Sequence, residues 1–356
     1  MESRTLDPEV RPRPWRRKGA LLALLLPLTG QAAHLEYVVE VGGPISDVTP
    51  QRVLFRTWDG NVRLNVFNRV TGSLRTIPDV VAPDDTYERL TSRGVIYGTT
   101  EDDGTAVFEW TGAQPIGYDA TPRGMAVSPV SRRYAIFPEW RPGRYFHLRD
   151  VMAGTGTYVG NGQVRDLADV GDDGQVVFTQ GPEPYNVFRY RNGQTAQLTH
   201  STTYSHFNPL TDGTQVVYRK QVSATASQIV LYNDAQGEVV LRPASTDFFT
   251  PREDYLPGGG WVAFTRINTV DGAAARQVWL RSPQGALTPV SSATADAYIN
   301  AVGNGQVMFV SGGYLYLGGP GQSPVVVAPF ADGTQSIWMQ GGWYVYFGTA
   351  LYRVVV

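Results

Sequence analysis

Two histidines and a tyrosine share the short stretch HSTTYSH (200–206), and PREDY (251–255) further along adds Arg252 and Tyr255. These side chains have the types needed for β-elimination from a uronic acid. A guanidinium neutralises the substrate carboxylate while His or Tyr removes the α-proton. If the protein is a polysaccharide lyase, then His200, Tyr204, His206, Arg252 and Tyr255 are its catalytic candidates. The competing reading is structural, with the same side chains capping turns and packing between elements.

Other chemistries find less support. His200 and His206 are six positions apart with no third ligand at tight spacing, so no metal site is expected. Asp102-Asp103-Gly104 and Asp172-Asp173-Gly174 lack the alternating oxygen ligands of a calcium loop and read as hairpin turns. There is no GxSxG elbow, P-loop, HExxH or GxGxxG in a strand–helix setting, and no repeated Asp-box, so no cofactor is expected. The absence of cysteine excludes disulfides, thiolate ligands and a Cys nucleophile. With 30 Lys+Arg against 32 Asp+Glu, the chain lacks the basic excess of a nucleic-acid binder.

The elements that would position these residues are visible as a repeat. Short apolar runs ending in an aromatic recur along the chain: QRVLF (51–55), RGVIY (93–97), RYAIF (133–137), GQVVF (174–178), TQVVY (214–218), GWVAF (260–264), GQVMF (305–309) and WYVYF (343–347). Their terminal aromatics, from Phe55 to Phe347, lie 38 to 46 residues apart. Each run sits among three weaker segments with alternating polarity, separated by Gly/Asp/Asn turns, which are strand signals. Four antiparallel strands in every such period make a propeller blade, and radial packing buries each sheet against its neighbours. The eighth unit ends at Val356 after three strands, while HLEYVVEV (34–41) is a strand without a unit. The reading is therefore all-β: a single propeller of eight four-stranded blades, closed by the N-terminal strand completing the last blade. Seven blades is the alternative if one weak unit is an insertion.

The N-terminus carries a different signal. Arg16, Arg17 and Lys18 precede the apolar run GALLALLLPL (19–28), followed by the small residues of TGQAA (29–33). This is the pattern of a secretory signal peptide, too short to span a bilayer as a helix. The domains are accordingly residues 1–32, a signal peptide, and residues 33–356, the propeller. A periplasmic or secreted monomer without stable membrane insertion is expected.

NPLTDGTQVVYRK (208–220) and QIVLYNDAQG (228–237) resemble the TolB-like, PD40-type propeller repeat, a Pro-x-x-Asp-Gly turn, an apolar strand and a second strand ending at an Asp/Asn-Gly turn. DDGQVVFTQ (172–180) is similar, whereas SRRYAIF (131–137) lacks the Asp-Gly pair. The resemblance implies a propeller that serves either as a partner-binding periplasmic protein or as a domain attached to an enzyme.

In such a ring, the loops before each first strand and those between second and third strands share one face. Here that face would collect 84–89, 119–124, 139–144, 183–185, 200–206, 219–227, 247–255 and 266–272, which are rich in Arg, Tyr, His and carboxylates. A mixed polar and aromatic face reads as a binding surface. Its binding candidates are Glu139, Trp140, Arg141 and Arg144 in one loop, Arg219 and Lys220 in a second, and Asp247 in a third. Trp140 could stack on a sugar or anchor a protein partner, while Trp261, Trp279 and Trp343 fall in core-facing runs. The function expected is non-catalytic binding of an envelope protein or glycan, with the lyase as the alternative.

Overall fold

A strand in the interior of a propeller blade is covered on both faces, so it needs no polar alternation. VVFTQ (Val176–Gln180) is buried at every position, whereas the outermost strand of the same sheet, Gln194–Gln197, is exposed at every position. That contrast explains why the second strand of each unit appears in the sequence as a continuous apolar run.

The computed structural model describes residues 33–78, 80, 87–101, 104–121, 124–141, 143–248 and 250–356. Among these, 32 strands form eight four-stranded antiparallel sheets, arranged as the blades of a β-propeller. The segment proposed as the signal peptide, the Asp102-Asp103 turn and residues 84–86 of the loop 84–89 lie outside the described residues. Blades are numbered here in chain order from Ile45, and within a blade the first strand is innermost. Inner strands of successive blades touch one another, as Val164–Val170 touches His206–Thr211.

Eight hydrophobic clusters hold the ring together, one for each pair of neighbouring blades. Leu54 and Leu64 of blade 1 meet Leu90, Val95 and Tyr97 of blade 2. Ile136 and Phe146 of blade 3 meet Val176 and Phe178 of blade 4. The eighth cluster joins Tyr344, Tyr346 and Leu351 of blade 8 to Val48 and Val53 of blade 1, which closes the circle. Trp279 packs against the blade 5–6 cluster, Trp261 against the blade 6–7 cluster, and Trp343 is buried in the blade 7–8 cluster.

The eighth sheet is built from both ends of the described chain. His34–Glu40 pairs antiparallel with Ala350–Val355, in register from His34↔Val355 to Glu40↔Ala350, with a bulge between Tyr37 and Val39. Two further backbone bonds, Val41 N–H to Thr349 O at 2.9 Å and Ile45 N–H to Gly348 O at 2.8 Å, carry the chain into blade 1. The ring therefore has eight blades and is closed by the N-terminal strand, as the surplus strand and the three-strand final unit predict.

Carboxylates add a second tie. Asp47, on the inner strand of blade 1, accepts the Leu90 N–H of blade 2 at 2.8 Å and the Arg132 guanidinium of blade 3 at 2.5 and 3.1 Å. Asp169, on the inner strand of blade 4, accepts the Thr211 N–H of blade 5 at 2.9 Å and lies 3.3 Å from the Arg252 guanidinium of blade 6. Each carboxylate thus links its own blade to the next two.

Phe178 is fully buried and stacks on Phe188 and edge-on to Phe146. Phe178→Ala is expected to destabilise the fold by about 3–5 kcal/mol, read as a lower urea midpoint. A chain lacking residues 33–40 is expected to lose more, because it opens the blade 8–1 seam. An unchanged melting temperature in that truncation would refute closure by the N-terminal strand.

Candidate functional site

The loop-rich face is most elaborate between blades 5 and 6. There the segment 246–254 leaves the outer strand Gly237–Ser245 of blade 5 and enters the inner strand Tyr255–Gly258 of blade 6. It ends in a single helical turn, Pro251–Asp254, where proline is tolerated because the first N–H has no helical partner. The Glu253 carboxylate accepts the Thr250 hydroxyl at 2.8 Å and the Thr250 N–H at 3.3 Å, which fixes the start of the turn. The turn presents Arg252 outward, with 61% of its side chain exposed, and drives Asp254 inward to 0%.

Asp254 arrives beside two buried arginines. Arg242 donates to Asp254 at 3.3 Å, to the Thr265 hydroxyl at 3.0 Å and to the Asp247 carbonyl at 3.0 Å. The Thr265 hydroxyl donates to the same Asp254 oxygen at 2.8 Å. Arg276 donates to the Asp247 carboxylate at 2.7 Å, and its Nε lies 3.6 Å from Asp254. Phe248 sits between guanidinium groups, with Arg219 3.9 Å and Arg242 4.0 Å from its ring centroid. Such stacking is favourable because the ring faces carry partial negative charge. Burial pulls the Arg242 guanidinium below its ordinary range and Arg276 adds to this, while Asp254 and Asp247 oppose them.

A second buried network lies one strand away. His206 is 3% exposed, packs against Tyr218 at 5.7 Å between ring centroids and pairs in register with Lys220. Glu238 accepts the Tyr218 hydroxyl at 2.6 Å and holds the Lys220 ammonium. Burial holds His206 below the usual imidazole range, and Lys220 adds to this while Glu238 opposes it.

The residues proposed for β-elimination differ in how far they reach solvent. His200 is exposed and Tyr204 half-buried, but His206 is buried in the second network. Tyr255 is 1% exposed and donates its hydroxyl to the Asn208 carbonyl at 2.8 Å. Burial raises the Tyr255 phenol far above its ordinary range, with Asp254 adding to the effect. Arg252 alone of the five combines exposure with a formal charge, and it leans on Asp169, whose carboxyl is raised by burial.

Two of the binding loops also need correction. Trp140 and Arg141 lie in the strand Tyr134–Arg141, paired with Arg144 and Gly143 of the strand Gly143–Asp150, so 139–144 is not a loop but the end of a strand hairpin. Its ladder runs past the apolar positions because backbone pairing does not need an apolar side chain. The side chains of Trp140 and Arg141 lie outside the described residues. Glu139 is not presented to solvent. It is 6% exposed, accepts the Tyr158 hydroxyl at 2.9 Å and lies 2.8 Å from His147 Nδ1. Arg219 and Lys220 likewise belong to the strand Val216–Gln221, and only 222–226 form the loop. Arg219 is half-buried against Phe248, Lys220 is paired with Glu238, and Asp247 keeps 54% of its side chain exposed.

Sequence reasoning missed Arg242, Phe248, Asp254 and Arg276. One signal was available: Arg242 interrupts the apolar outer strand GEVVLRPAS, a position where an unpaired charge would be costly. Among the described residues no group of three or more His, Asp or Glu is placed to hold a metal ion.

The fold is that of an eight-bladed β-propeller. No protein-family model and no curated protein matches the sequence. Dipeptidyl peptidase 4 of Porphyromonas gingivalis is similar in structure with a TM-score of 0.54 at 9% identity, over 87% of this chain and 56% of that chain. The chain thus spans little more than half of that peptidase. TolB from Acinetobacter baumannii gives 0.34 at 12% identity, covering 78% of this chain and 80% of that one. Oligogalacturonate lyase from Vibrio parahaemolyticus gives 0.46 at 11%, covering 91% of each. At these identities the likeness is one of fold.

Two measurements check the networks. Arg242→Ala leaves Asp254 buried beside fewer cations and is expected to cost about 3–5 kcal/mol, the usual effect of breaking a buried pair. A loss below 1 kcal/mol in chemical denaturation would show that Arg242 does not hold the loop. For His206 the folded pKa lies below the ordinary 6.5, so protonation favours the unfolded chain. Its stabilising contribution is complete above pH 6.5 and is lost as pH falls through the depressed folded value. The His206→Gln melting curve is expected to decline less than wild type between pH 7 and pH 5, and parallel curves would refute this.

Proposed function

We propose that the protein is an exported, non-catalytic β-propeller that binds an envelope protein or glycan through its loop-rich face. The observation that carries this reading is the segment 246–254, which is anchored from beneath by Arg242 and Arg276 while Arg252 and Asp247 remain exposed. A loop held rigid before its partner arrives gives up less conformational entropy on binding. Propeller loops on a rigid scaffold are a common location for recognition. The basic and apolar N-terminal segment supports export to the periplasm or the exterior. Among the described residues no helix is long and apolar enough to cross a membrane. Membership of the PD40-type repeat family is part of the proposal and is supported by the Asp-Gly turns at 172–174 and 212–213. The lyase reading is set aside, because burial of His206 and Tyr255 takes two of its four candidate proton acceptors out of reach of a polymer.

The binding surface is expected to include Arg252, Asp247 and Lys220, with Trp140 and Arg141 on the hairpin of blade 3 farther round the ring. A glycan array and an envelope-extract pull-down with wild type, Arg252→Ala and Trp140→Ala test it. At least a tenfold loss of a wild-type ligand in one variant, with unchanged melting temperature, is the expected result. Wild-type capture by both variants would mean that another surface binds. Growth of unsaturated-uronate absorbance on acidic polysaccharides would overturn the non-catalytic assignment.

A further inference from the structure

A cleft of about 330 Å³ opens between blades 1 and 2, on the face opposite the long loops. Short turns build it: Asn68–Ser73 joins the third and fourth strands of blade 1, Thr111 and Gly112 begin the corresponding turn of blade 2, and Arg93 lies in the turn ahead of Val95–Glu101. Among the described residues its walls contain Arg52, Arg75 and Arg93 and no acidic side chain. On the loop-rich face, by contrast, Arg242 and Arg276 each meet a carboxylate.

Two of the cations are tied to backbone carbonyls rather than to carboxylates. Arg52 donates to the Thr91 carbonyl and Arg93 to the Met152 carbonyl at 3.4 Å, both uncharged acceptors. Burial lowers the Arg52 guanidinium, and the nearby charge of Arg132 lowers it further while Asp47 opposes them. An anion in the cleft would relieve that cost. Trp110 supplies a second, independent indication. It is 6% exposed, it lines the cleft, and its indole N–H has no hydrogen-bond partner. Leaving a buried donor unsatisfied is costly, and a ligand's acceptor oxygen removes that cost. The hydroxyls of Thr71 and Ser73, 2.8 Å apart, add neutral polar groups at the rim.

We propose that this cleft binds a small sugar carrying a phosphate or sulfate ester. Three guanidinium groups offer more donors than the two oxygens of a carboxylate can use, and a tetrahedral ester presents three acceptor oxygens. The rim hydroxyls and the Asn68 amide suit the hydroxyls of a sugar ring. The volume is at the small end of ligand pockets, which span about 300–1,000 Å³, and so suits one or two sugar rings. This proposal does not depend on the loop-rich face.

Calorimetric titration of the full chain at low salt tests it, with glucose 6-phosphate, glucose 6-sulfate, glucose and inorganic phosphate as probes. At least one ester is expected to bind, with glucose and inorganic phosphate at least tenfold weaker, and the ratio between the esters assigns the anion. The double variant Arg75→Gln/Arg93→Gln is expected to weaken ester binding at least tenfold with an unchanged melting temperature, because both side chains are exposed. Three results would each overturn the proposal: no heat from either ester, equal binding of inorganic phosphate, or undiminished ester binding in the folded double variant.

Discussion

Every face of every blade has to be covered by another blade. This constraint accounts for most of the structure, because a four-stranded sheet buried on both sides cannot be stable alone. It dictates the continuous apolar second strands, the buried aromatics that end seven of the eight runs and the eight clusters between blades. It also requires that the eighth seam be as well made as the first, since a chain without cysteine has no covalent way to hold the circle shut. The pairing of His34–Glu40 with Ala350–Val355, and the packing of Tyr346 and Leu351 against Val48 and Val53, meet that requirement.

Polar groups follow a second logic. Where a charge must be buried near a seam, the protein pairs it and makes the pair span blades. Asp47 and Asp169 do this in the same way, each taking a backbone N–H from the next blade and a guanidinium from the one after. Buried pairs of this kind add little net stability but penalise alternatives in which one partner is missing, so they favour the correct order of blades. Arg242, Arg276, Asp254 and Asp247 extend the scheme from the seam to a loop, giving a surface segment the rigidity of the scaffold beneath it.

The architecture was legible because it is a one-dimensional regularity, an apolar run ending in an aromatic in every unit. The surplus strand at 34–41 and the three-strand final unit even disclosed how the ring closes. The sites were not legible, for physical reasons that Glu139 and Arg219 illustrate. Both lie in polar stretches that read as loops, yet backbone ladders extend the strands through them. Their environments are then set by residues far away in sequence, Tyr158 for one and Phe248 for the other. The same limit applies to the cleft lined by Arg52, Arg75 and Arg93, whose walls come from two units and whose missing carboxylate is invisible in a balanced composition.

Closure by the N-terminal strand also orders events in time. Residues 34–40 leave the ribosome before any blade exists, yet their partner, 350–355, follows every other strand of the ring. The intervening chain must be brought into a near-complete arc before the two strands can meet, and such distant pairings are slow because loop-closure entropy is spent before any contact repays it. The seam is therefore a checkpoint on completeness: a truncated product lacking 350–355 leaves Val38 and Val39 without the strand that covers them, and only a chain that includes 350–355 presents a finished rim.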